Sequence, residues 1–255
     1  MMRIRVERTG AIGRITLARP EKKNALDLVA ARELQEALRE FAADAEIRVV
    51  VLGADGEDFC AGADLAALYA LLDADAAAQL RDAEALGDIF RVLREMPQVV
   101  IAAVRGRALA GGAGLATACD LVLADEGARF GYPEVRVGFV PAMVMALLRR
   151  QIGEKRAFEL AATGRQVGAR EALELGLVSR VLPTTEFDAA VEALAKELAA
   201  MPPEALRQTK RLFYALDDVG FSDSIAQAVR VNVEARSTAE FRDGVRRFAP
   251  RPEKG

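Results

Sequence analysis

Polar and apolar residues alternate over residues 3–9 and again over 12–18, around Gly10, a period of two that predicts a β-hairpin at the start of the chain. The polar run Arg19-Pro20-Glu21-Lys22-Lys23-Asn24 then reads as a turn, and the spacing of apolar positions lengthens to that of a helix near 28–43. An unbroken apolar run from Ile47 to Gly53 (IRVVVLG) predicts a short buried strand. Helical spacing returns over about 76–95, and after Pro97 two more buried strands are expected, Val99 to Val104 and Asp120 to Ala124. Strand, helix, strand, helix, strand in that order predicts a parallel sheet. Beyond about residue 141 the pattern is almost wholly helical, interrupted by LGLVSRVLP (Leu175 to Pro183) as one short strand, so the C-terminal third is expected to be a helical layer.

Composition narrows the chemistry. With 52% apolar residues in 255, a large core is available. No apolar run approaches the ~20 residues of a spanning helix, and the hairpin-like N-terminus does not read as a signal peptide; the expectation is a soluble, cytoplasmic protein with no membrane partner. Thirty-eight acidic against 35 basic residues leave a net charge of −3, which argues against a nucleic-acid partner. Two cysteines, Cys60 and Cys119, make neither a disulfide framework nor a zinc site, so no metal is expected. The chain has no histidine. Ser-His-Asp, Cys-His and imidazole acid/base mechanisms are thereby excluded, and proton transfer falls to a carboxylate, Tyr, Lys or Cys.

Two segments combine small residues with a strand-to-helix turn. Phe59-Cys60-Ala61-Gly62-Ala63-Asp64-Leu65 follows the strand 47–53, and Gly106-Arg107-Ala108-Leu109-Ala110-Gly111-Gly112-Ala113-Gly114-Leu115 follows the strand 99–104. Either bend alone could be simple helix-on-sheet packing. The second lacks both the Walker ending and the GxGxxG spacing of nucleotide loops. At the carboxyl ends of successive parallel strands, however, the two would converge on the crevice where ligands of open α/β sheets bind, and helix N-termini there offer unpaired N–H donors to an oxyanion.

FCAGADL and ALAGGAGLATACD resemble the two oxyanion-hole motifs of the crotonase (enoyl-CoA hydratase/isomerase) superfamily. The similarity extends through ADEGARFGYPEVRVGFVP (Ala124 to Pro141), ATGRQVGAREALELGLVSRV and PPEALRQTKRL (Pro202 to Leu212), covering nearly the whole chain in the family's order. The resemblance implies an α/β fold of the crotonase type: a ββα spiral with two roughly perpendicular sheets over residues 1–195, and a packed, non-independent helical trimerisation region over 196–255. It implies an acyl-CoA thioester as substrate, no permanently bound cofactor, reactions of the β-oxidation type, and a homo-oligomer, either a trimer or a hexamer of paired trimers. By the same resemblance the oxyanion hole is made by the N–H groups of Ala63 and Gly111.

In two-glutamate hydratases similar to this chain, one Glu lies three residues after the oxyanion-hole glycine; that position is Gly114 here, a departure at a catalytic place. The second glutamate is present as Glu134 within Phe130-Gly131-Tyr132-Pro133-Glu134. A single carboxylate suffices for a 1,3-proton shift, which favours a Δ3-Δ2 enoyl-CoA isomerase, whereas hydration requires that one group also hold the water. Resemblance to a bacterial branch carrying GGAGLA with GYPEVRVGFVPA favours hydration of a 2-enoyl-CoA, and that reading is ranked first. A non-catalytic acyl-CoA-binding or RNA-binding relative is a further alternative, disfavoured by the retained Glu134 and both oxyanion motifs.

The resemblance places substrate contacts at Lys22, Lys23, Ala25, Ala61, Asp64, Leu65, Tyr132 and Pro133. For Lys22 and Lys23, beside the Asn24-Ala25-Leu26 segment, a phosphate contact and a solvated turn weigh equally. Asp64 has a helix-capping role as its rival reading, and Tyr132 is expected to line the acyl pocket. Arg246, Arg247 and Arg251 could add positive charge near the cofactor arm, and Phe139 to Leu148 is either a pocket wall, a subunit contact or core helix.

Overall fold

The alternation of side chains along one strand divides the molecule into layers. In the computed structural model, which describes residues 2–217 and 219–248, strand β3 (Val49–Ala54) sends Val50 and Leu52 into the larger core and Val49 and Val51 into a smaller one on the opposite face. Successive strand residues point to opposite faces, so a run apolar at every position requires helices on both sides.

The chain opens with β1 (Ile4–Thr9) and β2 (Ile12–Leu17), paired antiparallel as the hairpin expected. A 3-10 turn at Pro20–Lys22 leads to α1 (Leu28–Ala43), started by Asp27, whose side chain accepts from Ala30 N. After β3 come α2 (Leu65–Ala70), α3 (Ala76–Glu95) and β4 (Val99–Val104). Then follow β5 (Arg107–Leu109), α4 (Gly111–Ala118), β6 (Leu121–Asp125), β7 (Arg129–Gly131) and a 3-10 turn at Pro133–Val137. The remainder is α5 (Ala142–Gln151), α6 (Glu154–Thr163), β8 (Gln166–Gly168), α7 (Ala169–Leu175), β9 (Arg180–Leu182) and helices α8 (Phe187–Ala199), α9 (Pro203–Ala215), α10 (Phe221–Ser237) and α11 (Ala239–Phe248).

The main sheet has the order β1-β2-β3-β4-β6-β9, parallel from β2 onward. Helices α1, α3 and α4 cover its larger core and α8 the smaller one. A second sheet, β5-β7-β8, completes the α/β spiral. Sequence periodicity does not predict its three strands, because each is only three residues long and β5 lies inside the glycine-rich segment read as a bend. The expected strands 47–53 and 120–124 are displaced by one or two residues, to Val49–Ala54 and Leu121–Asp125.

A buried ion pair ties the C-terminal helices to the sheet. Lys210 of α9 donates to the carbonyls of Leu93 and Gln98 and to Asp120 Oδ2, each at 2.8 Å, while Tyr214 OH donates to Asp120 Oδ1 at 2.8 Å. The Val100 N–H also donates to Asp120 Oδ2, at 2.7 Å. Burial lowers the Lys210 ammonium from its ordinary value, against the pull of Asp120.

Candidate active site

Residues 59–60 and 105–109 pair like short parallel strands, and that pairing brings the two glycine-bearing bends together. Phe59 N donates to Arg105 O, Cys60 N to Arg107 O, and Leu109 N back to Cys60 O. Arg107 grips Asp58 with a two-pronged contact, Nε at 2.7 Å and Nη2 at 2.6 Å, which holds the Asp58 carboxyl below its ordinary value.

Around Ala63 every neighbouring amide is engaged. Ala61 N donates to Lys23 O, Gly62 N to Cys60 Sγ, and Asp64 N to Leu26 O. Ala63 N donates to no protein group among the described residues. In the second bend Leu109 N and Ala110 N are used, the latter on Gly131 O, while Gly111 N opens α4 with no protein acceptor among the described residues. The first N–H groups of a helix have no intrahelical partner, and the helix dipole places partial positive charge there.

The bends touch at Gly62. A Cβ at this position would lie 2.8 Å from Ala110 Cβ, 2.9 Å from Leu109 O and 3.3 Å from Gly111 N, and Gly62 has φ +94°. Only glycine fits both the space and the left-handed backbone. Ala110, its opposite number, has φ 50° and ψ −125°, a region that costs a non-glycine residue about 1–3 kcal/mol and that collects at functional sites. The sequence does not expose this strain, since alanine in a glycine-rich run looks unremarkable.

Glu134 sits on the 3-10 turn after β7, 9% exposed. Its Oε2 is buried without a protein hydrogen-bond partner, and desolvation raises its pKa, only partly offset by the backbone N–H of the same residue. Tyr132 is fully buried with its hydroxyl 2.9 Å from Thr117 Oγ1; burial and the nearby Glu134 charge both raise the phenol. Pro133 starts the turn. The thiols of Cys60 and Cys119 are buried, which pushes Cys60 up to about 12 and leaves neither as an available nucleophile.

Gly114 packs inside α4. A Cβ there would lie 2.3 Å from Val144 Cγ1 and 2.9 Å from Phe90 Cζ. The space for a side chain at this position is therefore filled by apolar groups from α5 and α3. Leu86, one turn before Phe90, stands 3.3 Å from where a Cβ on Gly111 would be.

Asp64 caps α2: Oδ1 accepts from Ala66 N at 2.9 Å and Oδ2 from Arg19 Nη2 at 2.8 Å. Desolvation would raise this carboxyl, but the backbone amides of Ala66 and Ala67 at the start of α2, together with the hydrogen bond and positive charge of Arg19, outweigh it and hold it below its ordinary value. Arg19 also reaches Asp27 Oδ2 at 3.0 Å, so one guanidinium joins the starts of α1 and α2. Asn24, buried to 2%, accepts from Arg19 N and donates to Asp55 O and Asp58 O. Both residues hold the first bend in place, although in the sequence they look like members of a solvated turn. Lys22, Lys23 and Leu65 are exposed, Ala25 is buried and Ala61 half-buried. Arg246 pairs with Asp243, Arg247 is exposed, and Arg251 lies outside the described residues.

A separate cleft of about 560 Å³ lies on the α8 face of the sheet. Its cations are engaged, Arg5 by Asp55, Arg14 by Glu192 and Arg105 by Asp188, and it reaches the start of the first bend at Asp58 and Phe59 without including Ala63, Gly111 or Glu134 in its lining. Among the described residues there is no cluster of three or more Cys, Asp or Glu able to hold a metal ion, and no helix is long and apolar enough to cross a membrane.

Comparison with known proteins identifies the family and the fold. Residues 7–254 match the family model described as enoyl-CoA hydratase/isomerase. A Thermus thermophilus protein named "Putative enoyl-CoA hydratase" is 43% identical over 245 residues, 96% of each chain. The crystal structure of an enoyl-CoA hydratase from Mycobacterium smegmatis has a TM-score of 0.93 at 32% identity, covering 96% of this chain and 95% of that one. An enoyl-CoA hydratase from Polaromonas sp. has a TM-score of 0.92 at 30% identity, with 96% of each chain covered.

Proposed function

The chain belongs to the enoyl-CoA hydratase/isomerase family, and on that premise we propose that it hydrates a 2-enoyl-CoA with Glu134 as its sole acid/base and Ala63 N–H and Gly111 N–H as its oxyanion hole. The observations that carry this reading are two unengaged amides on bends in contact at Gly62 and, three residues beyond the Gly131 carbonyl that accepts from Ala110 N, a buried carboxyl whose Oε2 has no partner among the described residues.

Each step has a group to perform it. The thioester oxygen accepts from both amides, whose effect grows as negative charge moves onto it; one such donor contributes about 2.7–4 kcal/mol to the transition state. Glu134 takes a proton from a water molecule as the water oxygen bonds to C3 and the C2–C3 π pair moves into the enolate. The same carboxyl then returns the proton to C2, so water adds across one face of the double bond. A carboxyl that desolvation holds above its ordinary value takes up a proton more readily than an exposed one.

The isomerase reading has one specific observation in its favour, the filling of the Gly114 position by Val144 and Phe90. A single base that moves a proton between C4 and C2 needs no second carboxyl. Purified protein assayed side by side on crotonyl-CoA, 3-hexenoyl-CoA and 3-methylglutaconyl-CoA decides between them. Hydration of a 2-enoyl-CoA faster than migration of the 3-double bond is expected, and the reverse order replaces hydratase by isomerase.

The cofactor arm is assigned to the edge formed by Lys22, Lys23, Ala25, Ala61, Asp64 and Leu65, with the acyl group toward Tyr132 and Pro133. The helical region from 196 onward is assigned to self-association. On α10, Phe221, Ile225, Val229 and Val233 are exposed at intervals of four residues, an apolar stripe suited to a second copy of the chain. Light scattering on the intact protein is expected to give a trimer or a multiple of it, and a monomer at micromolar concentration would remove this assignment.

A further inference from the structure

Helix α3 carries a charged residue in its buried stripe. Asp82, Leu86, Ile89 and Leu93 stand at i, i+4, i+7 and i+11, the spacing of a single helix face. Ile89 and Leu93 are fully buried, and Leu86 packs against the same core. Asp82 is half-buried and makes no hydrogen bond or ion pair among the described residues.

The face points at the active site. Phe90 lies against Gly114 and Leu86 against Gly111, so moving toward the start of α3 runs toward, and then past, the N-terminus of α4. Asp82, one turn further on, stands about 6 Å along the helix axis from Leu86, beyond the amide of Gly111, with its Cα–Cβ bond tilted still further outward. Desolvation is the one cause that raises its carboxyl, and no cation acts on it. A carboxyl in an apolar stripe, partly stripped of water and without a donor, is destabilising until a donor is supplied.

We propose that Asp82 is a specificity-determining residue of this site, accepting a hydrogen bond from a hydroxyl or N–H group carried by the acyl chain about 6 Å beyond the thioester carbonyl. The inference rests on the acyl-CoA reading above and deepens it, because it selects polar-substituted acyl groups over plain hydrocarbon chains. Between Asp82 and the level of Gly114 the surroundings are apolar, with Leu86 and Phe90 on the following turns of α3, Val144 against Gly114, and Met143, whose Sδ is 3.5 Å from where a Cβ on Gly87 would be. A hydrocarbon chain would satisfy those surroundings and leave the carboxylate stripped of water. A donor-bearing chain satisfies both.

Binding of unreactive saturated thioesters tests this without depending on which reaction the enzyme performs. Calorimetric titration of butyryl-CoA, hexanoyl-CoA and 6-hydroxyhexanoyl-CoA would be carried out on the full-length protein, Asp82→Leu and Asp82→Asn. The wild type is expected to bind the hydroxylated chain about tenfold or more tighter than hexanoyl-CoA, the ratio for one hydrogen bond to a charged group. Asp82→Leu removes or reverses that preference, Asp82→Asn reduces it, and butyryl-CoA, too short to reach, binds all three alike. An equal preference in wild type and both variants, with butyryl-CoA binding intact, overturns the assignment of Asp82 alone. If Asp82→Leu does not fold, an unreduced preference in the isosteric Asp82→Asn does the same. Failure of the wild type to bind any of the three thioesters overturns the acyl-CoA reading together with it.

Discussion

Gly114→Glu restores the glutamate that two-carboxylate relatives carry, but the structure predicts that the single substitution harms the protein. The new Cβ would lie 2.3 Å from Val144 Cγ1, 2.9 Å from Phe90 Cζ and 3.3 Å from Val144 Cβ. Overpacking of this kind costs about 1–3 kcal/mol. Replacing a mid-helix glycine recovers up to ~1 kcal/mol of helix propensity, and burial of an unpaired carboxyl costs about 1–3 kcal/mol more. The net is a loss of roughly 1–5 kcal/mol, summed from these same ranges. Val144→Ala alone removes two buried methyl groups and costs about 1.6 kcal/mol or more, yet it removes the atom nearest the clash. In Gly114→Glu/Val144→Ala the two costs should therefore fall short of their sum by about 1–3 kcal/mol. Guanidinium denaturation of the four proteins measures the cycle, and hydration of crotonyl-CoA is followed in parallel. Only the double variant is expected to gain hydration, by roughly 100-fold if the added carboxyl reaches the substrate as a general acid. Additivity within about 0.5 kcal/mol, or an undiminished stability of Gly114→Glu alone, would refute the reasoning.

Other substitutions separate the remaining groups. Gly62→Ala drives a methyl group between Ala110 and Leu109 O at φ +94°, so it should lower turnover by about 100-fold or more through displacement of the two amides; a kcat within a few-fold of wild type would show that the bends do not set the rate. Glu134→Gln should cost at least about 100-fold in turnover. The wild-type acid limb of kcat/KM should lie above the ordinary glutamate value of 4.5, because burial disfavours the charged base. The sign for stability follows: with the folded pKa raised, the contribution of Glu134 is full below the unfolded value and is lost as pH rises through the folded one. Glu134→Gln should therefore gain stability relative to wild type across that window, and a gain on acidification instead would contradict the desolvation account. Lys210→Met leaves the buried Asp120 charge without its cation and takes from the Leu93 and Gln98 carbonyls the donor they share, so equilibrium denaturation should show a loss of about 3–5 kcal/mol; a change below about 1 kcal/mol would mean the pair does not anchor α9.

Local pattern along the chain determines the hairpin, the helices 28–43 and 76–95 and the buried strands of the main sheet, because each is long enough for its period to show. Motif order and the absence of histidine likewise make the family and a carboxylate-based chemistry legible from the order of residues alone. The three strands of the second sheet are too short to declare a period, and they exist through pairing with segments far away in the chain. The site divides in the same way. Small residues in two bends are visible as letters, but the contact at Gly62, the strained backbone of Ala110, the orphaned Oε2 of Glu134 and the occupation of Gly114's space by Val144 are relations between distant residues. Burial, clash and a missing hydrogen-bond partner are properties of what surrounds an atom, and only the packed chain supplies those surroundings.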